Sequence, residues 1–162
     1  MAKAKRRNGP ATRDDRIHVR NGTASDIPAV IALDAQVTGL AKPEFWQSLF
    51  DERGMRRSDQ RYFLIAEPPE GGRLLGFIIG EVRAWEFGSP PCGWVFALSV
   101  DPRSRLGGIG SRLLDAIEAR FRQIGVQRMR TMLARDNHLI MSFFRSQGMM
   151  AGPYIQLEKE LD

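Results

Sequence analysis

Cysteine and histidine are almost missing from this chain of 162 residues, which has one cysteine, Cys92, and two histidines, His18 and His138. A single thiol excludes an internal disulfide framework and a cysteine-rich zinc site. Two distant imidazoles give no ligand cluster, so no metal is expected. Long apolar runs are missing as well: none approaches the roughly 20 residues of a membrane-spanning helix. Excess charge is missing from the body. The chain carries 24 Lys+Arg against 19 Asp+Glu, but Lys3, Lys5, Arg6, Arg7 and Arg13 stand in a leading segment that has no acid before residue 14. Without those five the two signs balance, which argues against a nucleic-acid surface on the body. The leading segment lacks the apolar stretch of a secretory signal, and the chain reads as cytoplasmic, with no membrane partner. Residues 1–15, with Gly9, Pro10 and no large apolar side chain beyond Met1, are expected to be disordered. Residues 16–162 suit one domain.

What is present is an ordinary globular composition, 43% hydrophobic and 27% charged, arranged in alternating patterns. Residues 16–20 read as a strand. A helix follows, with Ser25 or Asp26 as N-cap and Pro28 in its first turn. Residues 42–53 form a second helix with Phe45, Trp46, Leu49 and Phe50 on one face. Strands are expected over 61–67, 73–87 and 94–100, the last two separated by the Pro-rich turn 88–93. The run 94–100 is apolar on both sides and so belongs at the centre of a sheet. Leu113, Leu114, Ile117, Phe121 and Ile124 line one face of a further helix that ends at Gly125. A strand over 127–134, a short helix opened by Asp136 or Asn137 and stopped at Gly148, and a strand over 154–161 complete the order. This pattern predicts an α/β fold, a mixed sheet with helices on both faces.

Between the central strand and its helix stands Val100-Asp-Pro-Arg-Ser-Arg-Leu-Gly-Gly-Ile-Gly110. A strand running into a glycine-rich turn and then a helix is a general anion-binding device, because helix N-terminal N–H groups have no internal partner and the dipole adds positive charge. The spacing separates this turn from better-known ones. A P-loop needs a lysine followed by Ser or Thr after its last glycine, and none is near. A dinucleotide fingerprint from Gly108 would put its third glycine at Leu113, on the apolar helix face.

What remains is Arg105-Leu-Gly-Gly108-Ile-Gly110, an RxxGxG pattern with Val100-Asp-Pro ahead and Ser111-Arg-Leu-Leu behind. It resembles the acetyl-CoA loop of the GNAT acyltransferase superfamily. The resemblance extends to Asn137, which opens the next helix, and to Gly148-Met149, which end it. It implies an N-acetyltransferase, with splayed central strands, that moves an acetyl group from acetyl-CoA to an amine acceptor in a ternary complex. On that reading the backbone of Arg105, Leu106, Gly107, Gly108, Ile109, Gly110 and Ser111 cradles a pyrophosphate, with Arg105 and Arg103 adding charge. Leu98, Ser99 and Val100 end the splayed strand, and Leu98 and Val100 bond the pantetheine arm and polarise the thioester. Asn137 contacts the cofactor or caps its helix.

Attack requires a neutral amine, so a carboxylate must take a proton. The strand 94–100 holds none. Glu81 on the preceding strand is the first candidate and Glu86 the second. Relatives often carry a tyrosine general acid where this chain has Phe144, so Tyr154, Ser142 or water must substitute for it. A non-catalytic acyl-CoA-binding module is the alternative that Phe144 supports. Trp85, Trp46 and Phe45 are candidates for an acceptor pocket, with core packing favoured for the last two. Cys92 has no histidine neighbour in sequence to activate it. The resemblance also allows a homodimer.

Overall fold

The structure, a computed structural model, describes residues 16–51 and 60–161, the side chain of residue 106 excepted. The basic tail, residues 1–15, lies outside the described residues. The chain falls into two compact units, Met1–Thr131 and Met132–Asp162.

In the first unit, β1 (His18–Asn21) leads through a three-ten turn into α1 (Ile27–Thr38). Pro28 lies in the first turn of α1, where a missing N–H costs nothing. Asp26 is its N-cap residue, but the carboxylate is taken by Arg20, at 2.9 Å from each of two guanidinium nitrogens. Gly39, at φ 74°, closes the helix in the left-handed region that glycine adopts without strain. Next come α2 (Pro43–Phe50), β2 (Arg61–Glu67), β3 (Gly76–Arg83), β4 (Cys92–Val100), α3 (Ile109–Gln123) and β5 (Met129–Arg130). Among the described residues these strands make one mixed sheet, β1-β2-β3-β4-β5, antiparallel except for the parallel pair β4 and β5.

The sheet has helices on both faces, as expected. On one face Ile65, Phe77 and Ile79 pack with Val30, Leu33 and Trp46 of α1 and α2. Trp46 meets Phe77 edge-on at 5.3 Å and donates its indole N–H to the buried carboxylate of Asp34 at 2.9 Å. Lys42 neutralises that carboxylate from 2.9 Å. The other face receives Leu113, Leu114, Ile117 and Phe121 of α3, all buried. Three glycines let α3 approach. A Cβ on Gly76 would lie 3.1 Å from Ile109 and 3.2 Å from Leu113, on Gly80 2.8 Å from Ile117, and on Gly93 2.5 Å from the Phe121 ring. Close packing of this kind has no room for another methyl group.

The second unit contains α4 (His138–Ser146), ended by Gly148 at φ 83°. The strand expected over 154–161 does not form, and the one expected over 127–134 shrinks to Met129–Arg130. Alternation supplies a face, but a strand exists only through a neighbour's hydrogen bonds. Ile155, Leu157 and Leu161 are 82%, 86% and 87% exposed. The strand expected over 73–87 is trimmed to 76–83, because Trp85 and Phe87 turn to positive φ (64° and 52°) at the hairpin tip.

Candidate active site

The central strand is interrupted. Ile79 pairs with Ala97 while its neighbour Gly80 pairs with Val95, so Phe96 is the extra residue of a β-bulge. On the other edge of β4 the ladder with β5 covers only Gly93 and Trp94. The Thr131 hydroxyl then donates to the Val95 carbonyl at 2.9 Å. Further along, the Asp101 N–H donates to the Leu75 carbonyl at 2.8 Å. Alternation therefore turns the Ser99 backbone toward β3, and the N–H and C=O of Leu98 and Val100 toward the opposite edge. No ladder continues along that edge among the described residues. A short β5 thus leaves two backbone positions able to bond an extended ligand.

The strand ends in a rigid turn. Asp101, with a side chain only 3% exposed, caps the three-ten turn Pro102–Gly107. Its carboxylate accepts the Arg103 N–H at 3.0 Å and the Arg103 guanidinium at 2.9 Å and 3.2 Å. Its carbonyl accepts the Ser104 N–H at 2.8 Å. The Arg103 side chain, then the Arg103 N–H, hold the Asp101 carboxyl below its ordinary range against the opposing effect of burial. Arg73 donates to the Ser104 hydroxyl at 3.1 Å. Asp101 and Arg73 are site residues that the sequence reading did not assign. An Asp-Pro pair at a strand end is the N-cap signal that could have found the first; Arg73 had none.

Gly108, at φ 78°, then swings the chain into α3. The N–H groups of Ile109, Gly110 and Ser111 open that helix and have no intrahelical acceptor. Arg105 is exposed, and Arg103, its expected companion, is committed to Asp101. The backbone of Leu106 and Gly107 belongs to the turn; the side chain of Leu106 lies outside the described residues. Beside the turn opens a cleft of about 470 Å³, lined by Arg16, Arg73, Arg103, Ser104, Gly107 and Ile109. Its three guanidinium groups suit an anion.

Glu81 lies on β3 directly across from Trp94. Burial disfavours its charge, but hydrogen bonds from Arg61 and Arg83 outweigh that and leave its carboxyl below the ordinary value. Glu86 stands exposed at the hairpin tip. Trp85 there is 72% exposed and Phe45 48%, whereas Trp46 is core. Cys92 is a buried free thiol. In the second unit the Asn137 side chain accepts the Ile140 N–H at 3.2 Å, the capping role. Phe144 is buried, 5.2 Å from the Phe143 ring, and Tyr154 is exposed. Among the described residues no cluster of His, Cys, Asp or Glu could hold a metal ion, and no helix is long and apolar enough to cross a membrane.

The sequence matches the family described as acetyltransferase (GNAT) over residues 30–149. A mycothiol acetyltransferase of Saccharomonospora viridis is 33% identical over 132 residues, covering 76% of this chain and 42% of that protein. One from Kocuria rhizophila is 30% identical over 102 residues, 63% of this chain and 31% of that protein. The chain thus spans less than half the length of either relative. Among solved structures, the aminoglycoside N-acetyltransferase AAC(6')-Iy in complex with CoA has a TM-score of 0.76 at 16% identity, over 89% of this chain and 94% of that one. The fold alone carries that likeness.

Proposed function

Because the chain belongs to the acetyltransferase (GNAT) family, we propose that it transfers an acetyl group from acetyl-CoA to an amine. The observation that carries this reading is the continuity of three features: the outward-turned backbone of Leu98 and Val100, the turn braced by Asp101, and the open N-terminus of α3. In sequence they offer hydrogen bonds to an extended arm and then N–H donors to a diphosphate. The relatives' names and the CoA complex of a structural neighbour support the same donor.

In this reading the N–H groups between Arg105 and Ser111 hold the pyrophosphate, and Arg105 screens its charge. Backbone donors of β4 beside the bulge stabilise the charge that develops on the thioester oxygen, a preorganised arrangement that water cannot match. Glu81, ionised throughout the neutral range, accepts the amine proton through water, with Glu86 the second candidate. Its lowered pKa makes it a weak base, so the fraction of neutral amine sets much of the rate. Phe144 offers no proton. The departing thiolate, with a pKa near that of cysteine at about 8.5, leaves with a proton from Tyr154, Ser142 or solvent. A cytoplasmic homodimer is part of the same proposal.

The test is an acceptor screen with acetyl-CoA, following free thiol and the mass of the acylated product. Amine-dependent thiol release with a matching acetylated product supports transfer. CoA binding without release across a broad panel would reduce the chain to a binding module.

A further inference from the structure

One cluster on the sheet has a charge and geometry that acetyl transfer by itself does not require. Glu81 is held by two arginines. Arg61 donates Nε and Nη2 to one carboxylate oxygen at 3.1 Å and 2.7 Å, and Arg83 donates Nε to the other at 3.0 Å. Each guanidinium also lies over a ring of β4: Arg61 is 5.9 Å from the centroid of Phe96, the bulged residue, and Arg83 is 5.0 Å from that of Trp94. All five side chains stand on the sheet face away from α3, where Ile79 and Ala97 precede them.

One arginine would neutralise Glu81. The second leaves a net positive charge, and among the described residues no other carboxylate pairs with either guanidinium. A guanidinium has five N–H donors, and Glu81 takes two from Arg61 and one from Arg83. The remaining donors are fixed in direction by the carboxylate and the ring, which lowers the entropy lost when they bind a planar or tetrahedral oxyanion. The cluster adjoins the bulge, and Phe96 stands two residues from Leu98, whose backbone faces the proposed thioester site.

Resting on the proposed transfer reaction, we propose that Arg61 and Arg83 recognise an oxyanion on the acceptor. The substrate is then an amine that carries a carboxylate or phosphate in the same molecule. Glu81 sets the two guanidinium groups at the spacing that clasps it, in addition to its place near the migrating proton. Trp94 and Phe96 form an apolar floor for the carbon skeleton between amine and anion. A polycation is disfavoured here, since its extra ammonium groups meet a positive surface. That separates this chain from structural neighbours named for aminoglycosides, which bear several amines.

The experiment pairs each anionic amine with a neutral twin: L-leucine with L-leucinamide, and glucosamine 6-phosphate with glucosamine. Spermidine serves as the polycation. Thiol release gives kcat/KM, and quenching of tryptophan fluorescence gives an affinity that needs no turnover. At least one anionic member is expected to exceed its twin by about tenfold or more in both measures, as a charge-assisted hydrogen bond allows. The pair that responds tells carboxylate from phosphate. Arg83→Gln should bring the ratio toward one, chiefly through KM, and Arg83→Lys should restore part of it. Twins of equal rate, or a preference for spermidine, would overturn the proposal and leave acetyl transfer standing. Thiol release from no amine, in this set and across the broad acceptor panel, would remove the transfer reading. The fluorescence titration would then decide anion recognition alone, and equal affinities for the twins would end it too.

Discussion

The Asp101 carboxylate grips Arg103 at two places, its backbone N–H at 3.0 Å and its guanidinium at 2.9 Å, and so fixes the first step of the turn between β4 and α3. Replacing it removes a helix cap and a nearly buried acceptor together. Asp101→Ala is expected to cost about 1–2 kcal/mol in urea denaturation and to weaken CoA binding, because the turn loses its brace. The pH dependence has a definite sign. A carboxyl with a depressed folded-state pKa contributes stability above its unfolded value, about 4, and loses it as the pH falls through the folded value. The gap between wild type and variant should therefore be full at neutral pH and should close under strong acid.

Gly110→Trp tests the phosphate cradle. The indole would fill the space over the first turn of α3, and calorimetric titration with CoA should show no measurable heat while circular dichroism stays unchanged. Undiminished affinity would move the pyrophosphate away from this turn.

Glu81→Gln keeps the shape of the side chain and removes its charge. If Glu81 receives the amine proton, turnover at pH 7 should fall by about 10²-fold, the lower end for a general base because its basicity is depressed, and recover in part as the pH approaches the pKa of the free amine, about 10. Because the wild-type carboxylate titrates below its ordinary value, its own ionisation adds no limb near neutrality. A wild-type to variant ratio that stays flat from pH 6 to 9 would take Glu81 out of this role.

Gly93→Val tests the approach of α3. The added Cβ alone falls 2.5 Å from the Phe121 ring, and overpacking of this order costs about 1–3 kcal/mol. A lowered melting temperature is expected, with part of the loss recovered when Phe121→Ala is added.

Much of this architecture is legible in local pattern. The α3 face, the capping of α4 by Asn137, the stop at Gly125 and the limits of β2 follow from side-chain periodicity and backbone chemistry, which act over a few residues. The turn could be read for the same reason. What could not be read depends on partners distant in sequence. The pairing of Glu81 with Arg61 spans 20 positions, and nothing in alternation says that a carboxylate proposed as a base will be clasped by two cations. The bulge at Phe96 is invisible in an apolar run, since it is defined by the register of β3. Tyr154 to Leu161 shows the reverse case: the pattern of a strand is present, but no ladder engages it.

The extra residue at Phe96 shifts the phase of β4. Trp94 and Ala97 are three positions apart yet look out on the same side, which strict alternation forbids. The half of the strand that leads to the turn and the half that carries Trp94 are therefore out of step by one. Excising Phe96 would leave Trp94 and Ala97 two positions apart, still on one side of a regular ladder, and would take from Arg61 the ring it lies over. One inserted amino acid thus adds a ring beneath Arg61 without turning either half of the strand over.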